Sequence, residues 1–492
     1  MRVNVTNKTE FLNDYHFRSL CLLYFPQAKF PTDDPSPYSA DFVLERLPDG
    51  TLYASASLNS PEGGAFGESY EKDIVFTIPT DDESIAAAIT GKAMLAAGKK
   101  LFGFVPPWGY LTGLRPVKRA RFYLERGFGE QRVTRLFTND YDVSPEKARL
   151  SVATARKETE MLSSVRPEHC GVYVSVPFCP TRCDYCSFVS YSNKKLFALI
   201  PQYVERLCRD IARTGDIIRA SGFVPKSVYI GGGTPSFLTD TQLGMIFDAI
   251  QKHIPMADVT EYSFEGGRPD TLTPEKLAFI RAGGPDRISV NPQSTCQKVL
   301  DAIGRKHTVE QFFKSAEAAV RCGFTTVNTD LIAGLPEDTF GSFAQTLSDV
   351  IGLGFENITV HTLSIKNASE IKNDSGVFDP VGELARKCVS YAGETLGAHG
   401  YSPYYLYRQK RTVGNGENTG FSLPGHESIY NVMMMEESST VFACGAGAIT
   451  KLVSPDGEKI CRIAFPKYPY EYLEREENVG ESEIRAFFGG RG

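Results

Sequence analysis

Tryptophan is nearly missing from this chain: 492 residues contain one, Trp108. Nor is there a long apolar run. No segment approaches about 18 uncharged apolar residues, which excludes an ordinary membrane-spanning helix. Positive charge is not in excess, with 53 Lys and Arg against 59 Asp and Glu and a net charge of −6. That balance argues against general nucleic-acid binding. The opening Met1-Arg2-Val3-Asn4-Val5 has no apolar signal core, so the expected compartment is the cytoplasm. Seven histidines are dispersed. His307 and His361 fall inside repeated strand–helix segments and read as structural. Eleven cysteines are present, but Cys21, Cys170, Cys208, Cys296, Cys322, Cys388, Cys444 and Cys461 stand singly, mainly in apolar or helical runs. They read as small buried hydrophobes in a reducing compartment rather than as disulfides.

The other three cysteines are different. Cys179, Cys183 and Cys186 form a C-x3-C-x2-C run directly after a β-patterned segment ending at Pro177. Three thiolates on one short loop can converge on a single metal centre, and soft sulfur suits an iron–sulfur cluster. A four-iron cluster held by three protein ligands keeps one iron open for a small molecule. A tetrahedral zinc site is the rival, but zinc ordinarily takes two separated ligand pairs and no second pair follows.

Length predicts two or three domains. Over residues 1–165 an α+β unit of undetermined role is expected. Its strands are placed at Asp41–Arg46, Leu52–Leu58 and Asp73–Thr77, and a helix at Ser84–Phe102 with Ser84 as its cap. Helical patterns follow to about Ser164, and this stretch contains no catalytic constellation. Residues 166–400 then repeat strand, turn and helix. The candidate strands are Val172–Val176, Ser227–Ile230, Glu261–Phe264, Arg287–Val290, Thr326–Ile332 and Asn357–Thr362. Six βα units imply parallel strands with helices on one face. The predicted fold class is α/β: a partial (β/α)6 barrel with an N-terminal α+β domain and, over 401–492, a C-terminal extension on the substrate side.

Chemistry-bearing residues fall at the carboxyl ends of these strands, where α/β barrels build their sites. The cysteine loop follows the first strand and Gly231-Gly232-Gly233-Thr234-Pro235 the second; Glu265 closes the third, Gln293 follows the fourth, and Asp330 lies in the fifth. The glycine triplet lets backbone approach a ligand, because glycine has no Cβ.

As a set, Tyr173 to Cys179, the cysteine loop, Tyr229 to Ser236, Glu265 to Asp270, Arg287 to Ser294, Asp330 to Pro336 and Tyr404 to Lys410 resemble a known family. It is the radical S-adenosylmethionine (SAM) family of oxygen-independent coproporphyrinogen III oxidases (dehydrogenases), in its HemZ-type branch. The match covers roughly residues 170 to 450. The resemblance implies a 4Fe-4S cluster on Cys179, Cys183 and Cys186, with Tyr173 beside it. It implies SAM contacts from Gly232, Gly233 and Thr234 to the methionyl part, Glu265 and Gln293 to the ribose, and further contacts from Arg305 and Asp330. It implies a 5′-deoxyadenosyl radical that takes hydrogen from the β-carbon of a propionate, so that two propionates of coproporphyrinogen III become vinyls in haem biosynthesis. The implied partners are that tetrapyrrole and an electron donor such as flavodoxin or ferredoxin, with no nucleic acid, no membrane, and a monomeric state. Arg408, Lys410 and Arg411, after Tyr404, Tyr405 and Tyr407, are candidates for the substrate carboxylates. Two positions depart from the well-studied oxidases: Ser175 replaces a histidine and Phe188 a cysteine. Relatives that traffic haem share Phe188 and the altered second position. A haem-handling role and a tetrapyrrole methyltransferase therefore stand as alternatives.

Overall fold

A computed structural model describes the chain apart from residues 27, 32–35, 187, 366–381, 410–411, 476–479 and 489–492. The N-terminal unit is a four-stranded sheet, β1 (Arg2–Asn7), β2 (Ser39–Arg46), β3 (Leu52–Ser60) and β4 (Gly63–Tyr70), in sequence order. The first pair is parallel and the rest a meander. Helix Asp82–Phe102 lies on it, capped by Asp81, whose side chain accepts from the Ser84 N–H, so the cap is three residues earlier than expected. β4 was hidden by its glycines (Gly63, Gly64 and Gly67), which weaken strand propensity. Gly67 is where the helix comes closest: a Cβ there would stand 2.2 Å from the Ala93 carbonyl oxygen. The expected strand Asp73–Thr77 is not one. The Thr77 N–H is taken by the Asp140 carboxylate at 3.0 Å, and Val75 is 89% exposed.

From residue 169 six strands run parallel: β5 (His169–Val176), β6 (Val224–Gly232), β7 (Glu261–Gly267), β8 (Arg287–Val290), β9 (Thr326–Ala333) and β10 (Asn357–Thr362). They are neighbours in sequence order, so every crossover steps the same way and the helices collect on one face. Their burial is nearly continuous, because helices cover one face and the curvature of the barrel encloses the other. The helices have explicit starts. Thr239, Thr308 and Thr339 each form a reciprocal capping box, which satisfies two otherwise orphaned N–H groups per helix. Two helices, Lys194–Phe197 and Ile200–Ala220, follow the cysteine loop, and Pro201 falls in the first turn of the second, where proline is tolerated.

Residues after 401 extend both edges of this sheet. β11 (Ser402–Arg408) and β12 (Glu417–Ser422) add antiparallel beyond β10. β13 (Thr440–Cys444) pairs in parallel with β5, and β14 (Ile449–Val453) and β15 (Ile460–Ala464) continue from it. The resulting eleven-stranded sheet is an open barrel with reinforced rims. Helices Pro116–Glu125 and Pro145–Leu162 pack over β11 around fully buried Trp108. There the Trp108 indole N–H donates to Glu417 Oε2 (2.8 Å) and Lys147 Nζ meets Glu417 Oε1 (2.7 Å). Among the described residues no helix is long and apolar enough to cross a membrane.

Candidate functional site

At the carboxyl ends of the parallel strands lies a cavity of about 410 Å³, within the range of small-molecule sites. All three loop cysteines line it, with Tyr173, Gly232, Gly233, Thr234, Glu265, Gln293, Arg305 and Asp330. Each residue expected at the cluster and SAM therefore lines one cavity, although that set spans more than 150 positions in the sequence.

The cysteine loop is held by backbone. Gly233 N–H donates to Val176 O (2.8 Å), Thr234 N–H to Phe178 O (2.8 Å), and Cys179 N–H to Tyr191 O (3.0 Å). The Thr234 hydroxyl lies 3.3 Å from Cys179 Sγ. Burial, and then the neighbouring thiols, push the Cys179 thiol above its ordinary range; Thr234 opposes the shift. Glycine at 233 is obligatory on contact grounds, since a Cβ would come within 2.7 Å of Phe178 O and 3.0 Å of Cys179 Sγ. Gly232 has φ +116°, a left-handed region that favours glycine.

Two acceptors, Glu265 and Gln293, line the same cavity. Glu265 Oε2 accepts from the Gly232 N–H at 3.3 Å. Burial, reinforced by the Asp330 carboxylate, raises the Glu265 carboxyl to about 8. Gln293 has φ +68° and a buried Oε1 that finds no hydrogen-bond partner among the described residues. A non-glycine residue in that region costs about 1–3 kcal/mol, and a buried acceptor without a donor costs about as much again. The two penalties coincide on one side chain in the cavity wall. A ligand carrying hydroxyl donors relieves one of them. Asp330 accepts from Asn291 Nδ2 at 2.8 Å and lies 3.9 Å from His361 Nε2.

Arg305 reaches the cavity, but its N–H groups are committed to protein partners. Nη1 contacts Cys183 Sγ (3.7 Å) and donates to Tyr185 Oη (3.0 Å), Nε donates to His307 Nδ1 (3.2 Å), and Nη2 donates to the Gly267 (3.1 Å) and Asn291 carbonyls. Burial, with Arg305 second, lowers His307 to about 3, so that imidazole is a neutral acceptor as well as a structural one.

Arg408 is a correction. It is 7% exposed and turned away from the cavity, with Nη1 donating to the Leu111 and Gly113 carbonyls and the guanidinium over the Trp108 ring. Alternation along β11 decides this: Tyr405 and Tyr407 line the cavity, while Tyr404, Leu406 and Arg408 face the other way. Lys410 and Arg411 lie outside the described residues. His361, read as structural, lines the cavity. Ser175 is also outside the cavity wall; its hydroxyl donates to Ala446 O at 2.9 Å.

Sequence reasoning missed Tyr430. It sits on helix Ile429–Glu436 and stacks on Tyr229 (4.6 Å between centroids, 20° between planes), which in turn stacks on Tyr173 (6.0 Å, 26°). Nothing local marks it, because its partners lie some 200 residues earlier. Met434, Met435, Asn431 and Ser428 of the same segment complete that wall.

Among the described residues no three His, Cys, Asp or Glu side chains come close enough to hold one metal ion. All three thiols border one common cavity, and three soft sulfur donors suit an iron–sulfur cluster. An open βα barrel with three thiols at its mouth, an acidic residue on the third strand and an orphaned amide just after the fourth defines a radical SAM protein, the class that works with a 4Fe-4S cluster and SAM. Residues 173–350 match the model of the Radical SAM superfamily. The chain is 35% identical over 391 residues, 78% of its length and 77% of the relative's, to the oxygen-independent coproporphyrinogen-III oxidase-like protein HemZ of Bacillus subtilis. It is 27% identical to the heme chaperone HemW of Bacillus subtilis, over 65% of this chain and 82% of that one. In fold it is similar to the radical SAM coproporphyrinogen III oxidase HemN of Escherichia coli, with TM-score 0.52 and 23% identity over 66% of this chain and 73% of that one. The chain belongs to the radical SAM family of oxygen-independent coproporphyrinogen-III oxidase-like proteins, with HemZ.

Proposed function

We propose that the protein converts coproporphyrinogen III to protoporphyrinogen IX without oxygen, turning two propionates into vinyls. The observation that carries this reading is the 35% identity to a coproporphyrinogen-III oxidase-like relative over most of both chains. Support comes from a cavity whose far wall is aromatic and methionine-rich, as a flat tetrapyrrole requires.

Cys179, Cys183 and Cys186 hold the cluster. Thr234 donates toward Cys179, while Gly232 and Gly233 bring backbone against the methionyl end of SAM. Glu265 and Gln293 accept from the ribose hydroxyls, and Gln293 Oε1 gains there the donor it otherwise lacks. Asp330 adds an anion near the sulfonium. Bound together, cluster and SAM would supply the one-electron chemistry that removes a single hydrogen atom from a substrate. Tyr173, Tyr229 and Tyr430 wall the reacting region from water. Tyr405 and Tyr407, stacked at 6.3 Å and 11°, offer a flat surface to the macrocycle. Arg287, a buried cation lining the cavity, receives a propionate that does not react. For each vinyl formed, the propionate gives up one hydrogen atom from its β-carbon, one carbon dioxide, and one electron to a one-electron acceptor.

The similarity to HemW and the residues Ser175 and Phe188 favour a second reading, in which the same cavity carries haem. Anaerobic reconstitution with iron and sulfide, then incubation with coproporphyrinogen III, SAM and a reductant, separates the two. The expected result is a mono- and then a divinyl product, with SAM consumed in proportion. Haem retained without SAM consumption sinks the oxidase reading in favour of carriage, and S-adenosylhomocysteine sinks it in favour of methyl transfer.

A further inference from the structure

We infer that the two helices ahead of the barrel, Pro116–Glu125 and Pro145–Leu162, set the tetrapyrrole side of the cavity, with Arg115 and Arg121 as positioning residues for helix Ile429–Glu436. The inference rests on the substrate reading above.

Helix Ile429–Glu436 is a wall that does not support itself. It has eight residues, and helices that short are marginal in water on their own. Its carboxyl end carries the wrong charge: Glu436 and Glu437 sit where the helix dipole is already negative. Glu437 also ends the helix at φ +52°, a left-handed region that non-glycine residues rarely adopt. Yet Tyr430, Asn431, Met434 and Met435 of this helix line the cavity. Whatever holds the helix therefore decides the shape of that side.

The amino end is held from the barrel. Glu261 on β7 accepts from the Ser428 hydroxyl (2.9 Å) and the Ile429 N–H (2.7 Å). The carboxyl end is held by cations. Lys451 on β14, itself buried, donates to the Met433 (3.2 Å) and Met434 (3.5 Å) carbonyls, two of the acceptors that a helix end leaves unused. Arg115, which precedes helix Pro116–Glu125, and Arg462 on β15 each pair with one oxygen of Glu437. Arg121, inside that helix, brings Nη2 to 2.7 Å from Glu436 Oε2, and the Glu436 side chain is only 2% exposed. Glu158, on helix Pro145–Leu162, stands beside the same carboxylate. Burial, and then Glu436, raise its carboxyl well above the ordinary range, so it is a neutral neighbour rather than a second anion. Behind the wall, Met161 and Leu162 at the end of that helix pack against Tyr404, Tyr405 and Val432. Tyr405 also lines the cavity. Charge and packing from the same two helices thus converge on one side of the site. Arg115, Arg121, Glu436 and Glu437 do not line the cavity themselves, so their effect on a ligand passes through the helix.

The test uses full-length reconstituted protein under anaerobic conditions. Hydrogen exchange read by mass spectrometry reports on residues 429–436. Fluorescence titration with coproporphyrin III, the stable oxidised form of the proposed substrate, reports on that side of the cavity, and equilibrium dialysis reports SAM affinity. Arg121→Met should speed exchange of 429–436 about tenfold or more while the barrel strands keep wild-type exchange. It should weaken coproporphyrin III binding about tenfold and leave SAM binding within about twofold. Arg121→Lys, which keeps the cation, should recover most of both losses. Arg115→Met should act in the same direction and more weakly. It leaves Glu437 paired with Arg462, so it carries the test even where Arg121→Met does not fold. Wild-type exchange of 429–436 in the Met variants overturns the inference. So does faster exchange with full coproporphyrin III affinity, or an equal loss of SAM binding and of barrel protection. Wild type that binds SAM but no coproporphyrin III overturns the substrate reading, and this inference with it; that failure is told apart because it lies in the wild type rather than in a variant.

Discussion

Replacing Glu265 by glutamine should make the apoprotein more stable at alkaline pH and leave it nearly unchanged at acid pH. Burial, with the Asp330 carboxylate adding to it, lifts the Glu265 carboxyl from 4.5 to about 8, and the Gly232 N–H only partly opposes the lift. In the folded protein the proton is therefore kept up to about pH 8, whereas in the unfolded chain it leaves near pH 4.5. Between those values the folded state binds more protons than the unfolded state. Stability consequently falls as pH rises through this window, and the loss is complete above the folded-state value. At 1.36 kcal/mol per pH unit, the gap between 4.5 and about 8 amounts to at most ~5 kcal/mol. The glutamine amide carries no titrating proton and escapes the penalty. The assay is urea unfolding of anaerobic apoprotein, wild type against Glu265→Gln, followed by far-ultraviolet circular dichroism from about pH 5 to about pH 9. The difference in midpoint should open steadily across that range and level off above about pH 8.5, corresponding to roughly 2 kcal/mol or more. A difference that stays flat with pH, or wild type gaining on the variant as pH rises, refutes the reasoning and places Glu265 as an ordinary ionised carboxylate.

Gly233→Ala should fold but take up well under half the wild-type iron on reconstitution, measured by iron analysis and cluster absorbance. Its Cβ forces the Cys179 loop outward from a 3.0 Å contact while leaving the strand pairing intact. Glu417→Ala should destabilise the protein by about 1–3 kcal/mol in thermal or urea unfolding, because it leaves the buried Trp108 indole N–H without its acceptor and the Lys147 ammonium with Glu146 alone.

The cysteine loop, the glycine triplet and the six strand–helix units were readable because each is a local signal. Cysteine spacing within ten residues, a glycine triplet and short apolar runs parted by turn residues need no knowledge of the rest of the chain. Site residues at strand ends followed from topology, since parallel strands bring all their carboxyl ends to one side. β4 and the segment 73–77 were misread for the converse reason. Gly63–Tyr70 is a strand because β3 and a helix lie against it, and Thr77 is not in one because Asp140 takes its N–H.

The amino-acid order by itself determined that three thiolates would share a loop, that backbone could approach them at Gly232 and Gly233, and that an open parallel barrel would gather Glu265, Gln293 and Asp330 around them. Only the tertiary structure decided that Arg408 packs on Trp108 and the Leu111 and Gly113 carbonyls, that the Arg305 N–H groups are taken up by protein partners beside Cys183, and that His361 and Tyr430 enter the cavity. These outcomes depend on which face of a strand or helix meets a partner hundreds of residues away. That choice is made by packing and by the cost of leaving buried charges unpaired, and neither is encoded in any short stretch of sequence.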